Sequence, residues 1–141
     1  MSDPLEMEPL LREAHTIAVV GCSTDPNRTS HRIAQYLKDA GYRIVPVNPN
    51  HGEACGETAY PDLQHIPDEV TIDIVDIFRD PAHTADMVRD AVARAEATGN
   101  QPVIWTQIGV SSEEAEQVAE EAGLPYVRNT CLMVEHRRTL G

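Results

Sequence analysis

Apolar residues in this chain fall into short dense runs, separated by longer stretches in which they recur at helical spacing. Ile17-Ala18-Val19-Val20 is a continuous apolar run too short for a helix and too uniform for a strand with one wet face. It predicts a strand covered on both sides. Arg43 to Val47, Ile72 to Phe78, Pro102 to Trp105 and Tyr126-Val127 read the same way. Between these runs, Ile33, Ala34 and Leu37 share one helical face, which predicts a helix from about Ser30 to Ala40 that Gly41 ends. Pro81 sits near the start of a long helix to about Ala97, stopped by Gly99. Ser111 or Ser112 caps a helix that Gly123 closes. Leu5 to Ala14 reads as a leading helix with Leu10, Leu11 and Ala14 inward, and Pro61 to His65 as one helical turn. Strands alternating with helices of ten or more residues mean βαβ units. The expected architecture is α/β: a doubly wound sheet of about five parallel strands with helices on both faces, in one domain over residues 1–141.

In such a sheet the ligand sits beyond the carboxyl ends of the strands, where strand order reverses. Every predicted strand here ends in small, amide or cationic groups. The first yields Gly21, Cys22 and Ser23, and the polar run to Ser30 carries Arg28. The second ends in Asn48-Pro49, the third in Phe78-Arg79, the fourth in Gln107-Ile108-Gly109, and the last near Asn129 to Cys131. Strand, tight loop and helix N-terminus in that order suit a phosphate, because first-turn N–H groups are unpaired and the dipole adds positive charge. Gly21 would let the backbone approach an anion. Ser23 and Ser30 offer hydroxyls, and Ser30 equally suits a plain helix cap. Arg28 and Arg79 match phosphate geometry. For Arg79 the competing role is an ion pair with Asp76 or Asp80. Asn48 between Pro46 and Pro49 makes a stiff platform for a ribose, or simply an Asx turn. Trp105 is expected in the core.

Charge narrows the partners. With 23 acidic residues against 11 basic, the net charge is −12, which disfavours nucleic acid and anionic membranes. No run approaches a membrane span, and no signal-peptide core is seen. Three cysteines at irregular spacing fit a reducing cytoplasm. The six histidines have no metal-site spacing; His51 and Cys55 come nearest and lack further ligands, so no metal is expected. Asp73 and Asp76, three apart on a strand, face opposite sides and make no acid–base pair. Cys22, at a helix N-terminus, is expected to carry a lowered thiol pKa. Cys131 with His136 is the other nucleophile candidate, although a small buried hydrophobe is the commoner role for either thiol.

A dinucleotide fingerprint needs G-x-G-x-x-G and an acid about 20 residues on; this chain has Gly21 alone and a neutral Asn48. Instead, Val20-Gly21-Cys22-Ser23 with Ser30, Gly41 through Pro49, Val75 through Arg79, Val103 through Gly109 and Cys131 through His136 together resemble the stand-alone CoA-binding domain proteins. They are similar also to the CoA-binding N-terminal domain of the succinyl-CoA synthetase alpha subunit. The resemblance runs from about Leu11 to the C-terminus; Asn50 and Thr130 depart from its pattern. It implies a Rossmann-like fold with the pantetheine and diphosphate of CoA lying across the first loop and the strand-four loop. Gly21, Cys22, Ser23, Arg28, Ser30, Asn48, Pro49, Arg79, Gln107, Gly109, Asn129 and Cys131 are the expected contacts. The expected function is binding of CoA or an acyl-CoA without catalysis, as a carrier, sensor or regulatory module. The expected form is a cytoplasmic monomer or homodimer. The alternatives are an NAD(P)- or other nucleotide-binding sensor and a cysteine-dependent acyl-CoA transferase.

Overall fold

The computed structural model describes residues 6–50 and 52–141. In chain order it has helix α1 (Met7–Glu13), strand β1 (Thr16–Val20), helix α2 (Thr29–Asp39), strand β2 (Arg43–Val47) and the two-residue strands β3 (Glu53–Ala54) and β4 (Glu57–Thr58). A 3-10 turn (Leu63–His65), strand β5 (Ile74–Ile77), helix α3 (Pro81–Thr98), strand β6 (Val103–Thr106), helix α4 (Glu113–Glu121), strand β7 (Tyr126–Val127) and helix α5 (Leu132–Thr139) follow. Five strands form one sheet in the order β2-β1-β5-β6-β7, with every pairing parallel. The order grows one way from β1 to β2 and the other way from β1 to β5, so the reversal lies between the ends of β1 and β5.

The strands read as unbroken apolar runs because both sheet faces are buried. Along β1, Ile17 and Val19 pack with Leu11 of α1, Ile33 and Leu37 of α2 and Leu132 of α5. Ala18 and Val20 pack on the other face with Val88 of α3 and Ala115 of α4. Trp105 is fully buried, as expected, and its Nε1–H reaches the Thr130 carbonyl at 2.7 Å. Helix ends follow local chemistry: Pro81 opens α3 with the Asp80 side chain capping the Ala82 N–H at 2.9 Å. Ser112 caps α4 through the Ala115 N–H at 3.1 Å.

Four expectations change. Helix α2 starts at Thr29 with Arg28 in the N-cap position, so Ser30 lies inside the first turn and is not the cap. The third main strand is trimmed to Ile74–Ile77; Asp73 instead takes the His15 and Thr16 N–H groups on one carboxylate oxygen, at 2.8 and 2.9 Å. The hairpin β3–β4 and helix α5 were not anticipated. Of the leading helix, Met7–Glu13 is helical, and Leu5 lies outside the described residues.

Candidate functional site

The rim where β1, β2, β5, β6 and β7 end carries the expected residues, and two adjoining open cavities occupy it. One, of about 560 Å³, is lined by Gly21, Ser23, Asn27, Arg28, Thr29, Ser30, Asn48 and Phe78. The other, of about 610 Å³, is lined by Thr29, Ile33, Phe78, Arg79, Asp80, His83, Gln107, Ile108, Val110 and Cys131. Thr29 and Phe78 belong to both walls, so the cavities meet there. The first is a chamber of hydroxyls, amides and an arginine; the second mixes apolar walls with Arg79 and His83.

Gly21 adopts φ 86, and a Cβ there would collide with the Phe78 carbonyl oxygen at the end of β5. Glycine is required because two strand ends pass against each other at the reversal point. The Gly21 N–H reaches the Val47 carbonyl at 2.8 Å, which ties β1 to β2 at the same place. Beyond it the loop braces itself. The Ser23 N–H donates to Ser30 Oγ at 3.0 Å, the Asp25 N–H to Ser23 Oγ at 3.0 Å, and the Asn27 N–H to Asp25 Oδ1 at 2.9 Å. Both serine hydroxyls therefore accept from the backbone and keep their own hydrogens to donate. Helix α2 has no side-chain cap and no acid in its first turn. Its leading N–H groups and exposed Arg28 present positive potential to the first chamber. These residues fit a phosphate or diphosphate group.

Asn48 fulfils the Asx-turn reading and adds a brace. Its Oδ1 accepts the Asn50 N–H at 3.0 Å, while Nδ2 donates to the Cys22 carbonyl at 2.9 Å. Pro49 follows it, exposed. On the far side, Asn129 takes φ 56 and accepts the N–H of Gly109 (φ 80) at 2.8 Å, so β7's end shapes the loop after β6. Arg79 lies alongside Gly21, its Cδ at ordinary contact distance from where a Cβ would stand. Its Nε is buried without a partner. Among the described residues it makes no ion pair with Asp76 or Asp80.

Gln107 is buried and turns inward, its Nε2 donating to Asp76 Oδ1 at 2.7 Å. Asp76 is fully buried and its Oδ2 has no partner. Burial pushes its carboxyl up to about 8, against the opposing hydrogen bond from Gln107. Sequence reasoning set Asp76 aside; the available signal was an acid in the middle of an apolar strand.

Cys22 reverses its expectation. It is fully buried, and burial, reinforced by Cys55, pushes its thiol up to about 12. The left-handed turn at Gly21 swings the side chain into the core, away from the helix end that would have acidified it. Cys131 is half-buried and lines the second chamber. His136 Nδ1 is engaged with the Tyr36 hydroxyl at 2.9 Å, and its ring stands edge-on to Tyr42. Among the described residues no group of three or more His, Cys, Asp or Glu side chains could hold a metal. No described helix is long and apolar enough to cross a membrane.

A parallel doubly wound domain with an uncapped helix end facing its reversal point is one class of binding fold, and comparison with known proteins places the chain within it. The model of a CoA-binding domain family matches residues 15–137. YneT of Bacillus subtilis is 38% identical over 134 residues, spanning 95% of this chain and 94% of that protein. A solved structure from Pyrococcus horikoshii OT3 is 36% identical, with a TM-score of 0.87 and 100% of both chains covered. The alpha subunit of the ADP-forming acetate–CoA ligase II of Pyrococcus furiosus is 37% identical over 60 residues, 42% of this chain but 13% of that subunit. This chain belongs to the CoA-binding domain family.

Proposed function

We propose that the chain binds CoA or an acyl-CoA across the two adjoining chambers and acts as a non-catalytic carrier, sensor or regulatory module. The supporting observation is the division of the rim. The first chamber presents Ser23, Ser30, Arg28 and the bare end of α2 to a diphosphate. The second offers Ile33, Phe78, Ile108 and Val110 to a pantetheine arm, with Arg79 at the junction as a second anion partner. Among the remaining expected contacts, Asn48 and Asn129 also hold the two loops, and Gln107 is held by Asp76. Family membership favours CoA over NAD(P), in keeping with the absence of a ribose acid at Asn48. We place the protein in the cytoplasm as one domain, a monomer or homodimer.

Mass spectrometry of the protein purified under native conditions tests this. A retained mass matching CoA or an acyl-CoA is expected. A retained dinucleotide such as NAD would overturn the proposal.

A further inference from the structure

Asp76 is an acid at a place where the sheet has no use for one. Strand β5 lies between β1 and β6, and Asp76 stands in register with Val19 on one side and Trp105 on the other, both fully buried. Its side chain is 0% exposed. Among the described residues its one side-chain partner is Gln107, whose Nε2 donates to Oδ1 at 2.7 Å, while Oδ2 has none. A carboxyl group set among apolar side chains costs stability, so what it holds is worth following outward.

Gln107 directly follows β6, is 5% exposed and lines the second chamber. Its backbone is fixed from several sides. The N–H reaches the Ile77 carbonyl at 3.4 Å and the carbonyl takes the Val110 N–H at 3.0 Å, while the preceding Thr106 hydroxyl donates to the Val127 carbonyl at 2.7 Å. The side-chain amide is divided between two tasks. Its amino half is spent on Asp76. Its carbonyl half, Oε1, accepts from no described group, yet it is not sealed in as Asp76 Oδ2 is. An amide free to turn over would show a ligand either half; one held by its amino group shows only an acceptor. Arg79 in the same wall is a donor only, so the two side chains call for different groups on one ligand.

We infer that Asp76 is a positioning residue for the second chamber: it holds the Gln107 amide with Oε1 toward the cavity, so that the chamber selects a ligand with an N–H donor, an amide of the pantetheine arm. This rests on the CoA binding proposed above and adds a polarity to it. The apolar walls at Ile33, Phe78 and Val110 take the arm by contact and do not distinguish an amide from an ester. Oε1 does, because an ester leaves this nearly buried acceptor facing another oxygen with no donor between them. Asp76 touches no ligand; it acts through the direction it gives to Gln107.

Calorimetry tests this with CoA and with two CoA analogues, in each of which one of the arm's amides is replaced by an ester. On the unsubstituted chain one of the two esters should bind about tenfold more weakly than CoA, as for the loss of one hydrogen bond. Gln107→Met should weaken CoA by the same factor and bind that ester as well as it binds CoA. Asp76→Val should match Gln107→Met, and the double variant should be no weaker than either single one, because both remove one interaction. Asp76→Asn, which keeps an acceptor for Nε2, should restore CoA affinity to within about twofold. Both esters binding the unsubstituted chain as tightly as CoA would overturn the inference. So would losses that multiply in the double variant, or an Asp76→Asn as weak as Asp76→Val. The ester comparison needs no variant, and Gln107 lies outside the strands, so these two arms decide the matter even where Asp76→Val does not fold. An unsubstituted chain that binds no CoA species at all would overturn the proposed function itself; CoA binding that is indifferent to Gln107 and to the esters would overturn this inference alone.

Discussion

Arg94 and Arg79 both bury an Nε that has no partner, yet their surroundings differ completely. Arg94, on α3, sends its terminal nitrogens to four backbone carbonyls: Leu63 at 3.2 Å, Ile66 at 2.7 Å, Pro67 at 3.0 Å and Val70 at 2.8 Å. It clamps the segment that leads into β5. Arg79, at the end of β5, faces an open cavity and forms no ion pair among the described residues. A guanidinium whose terminal nitrogens are taken up by backbone carbonyls is a structural part; one that lines a cavity without an ion pair is ready for an anion.

The comparison breaks most visibly at Arg94. Arg94→Met should destabilise the fold by about 3 kcal/mol in urea, because it strands buried carbonyls. Protein that remains folded should keep its CoA affinity. Arg79→Ala should do the reverse. Its CoA affinity is expected to fall by about 2 kcal/mol, the worth of a charged hydrogen bond, with the urea midpoint nearly unmoved. A large loss of stability in Arg79→Ala would erase the distinction between the two arginines.

Asp76 sharpens the contrast from the acidic side. Its carboxyl is raised from 3.8 to about 8 in the fold. The folded state therefore holds a proton that the unfolded chain releases, and Asp76 makes stability fall as pH rises between those values. Asp76→Asn keeps an acceptor for Gln107 and should flatten that slope, with a gain on the order of 1 kcal/mol at neutral pH. An unchanged pH profile would mean that Asp76 is ionised in the fold. The smallest effect is expected at Cys131→Ser, where a small polar group still lines the chamber. CoA affinity should stay within about twofold by calorimetry, whereas loss of an acyl-transfer activity would restore the thiol as a nucleophile.

Much of this fold was legible because burial on both faces writes parallel strands as solid apolar runs, as in Ile17–Val20. Gly99 and Gly123 likewise mark helix ends by their own chemistry. Helix α5 was not legible. It is short, its buried Glu135 pairs with Arg138, and no cap side chain announces its start. The hairpin has two-residue strands and no period to detect. The rim could be read because every strand end there is polar or small. Side-chain direction could not: Gly21 turns left-handed, so the alternation along β1 no longer applies at Cys22. Nor does spacing reveal that the Ser30 hydroxyl accepts the Ser23 N–H, or that Asn48 and Gln107 spend amide groups on bracing and not on the open cavity.

The central claim is that the rim at the β1–β5 reversal takes CoA. Calorimetric titration of the reduced protein with CoA, acetyl-CoA, NAD and ATP tests it most directly. Saturable heat with the two CoA species and none with NAD is the predicted result. Binding of NAD without binding of CoA would contradict it.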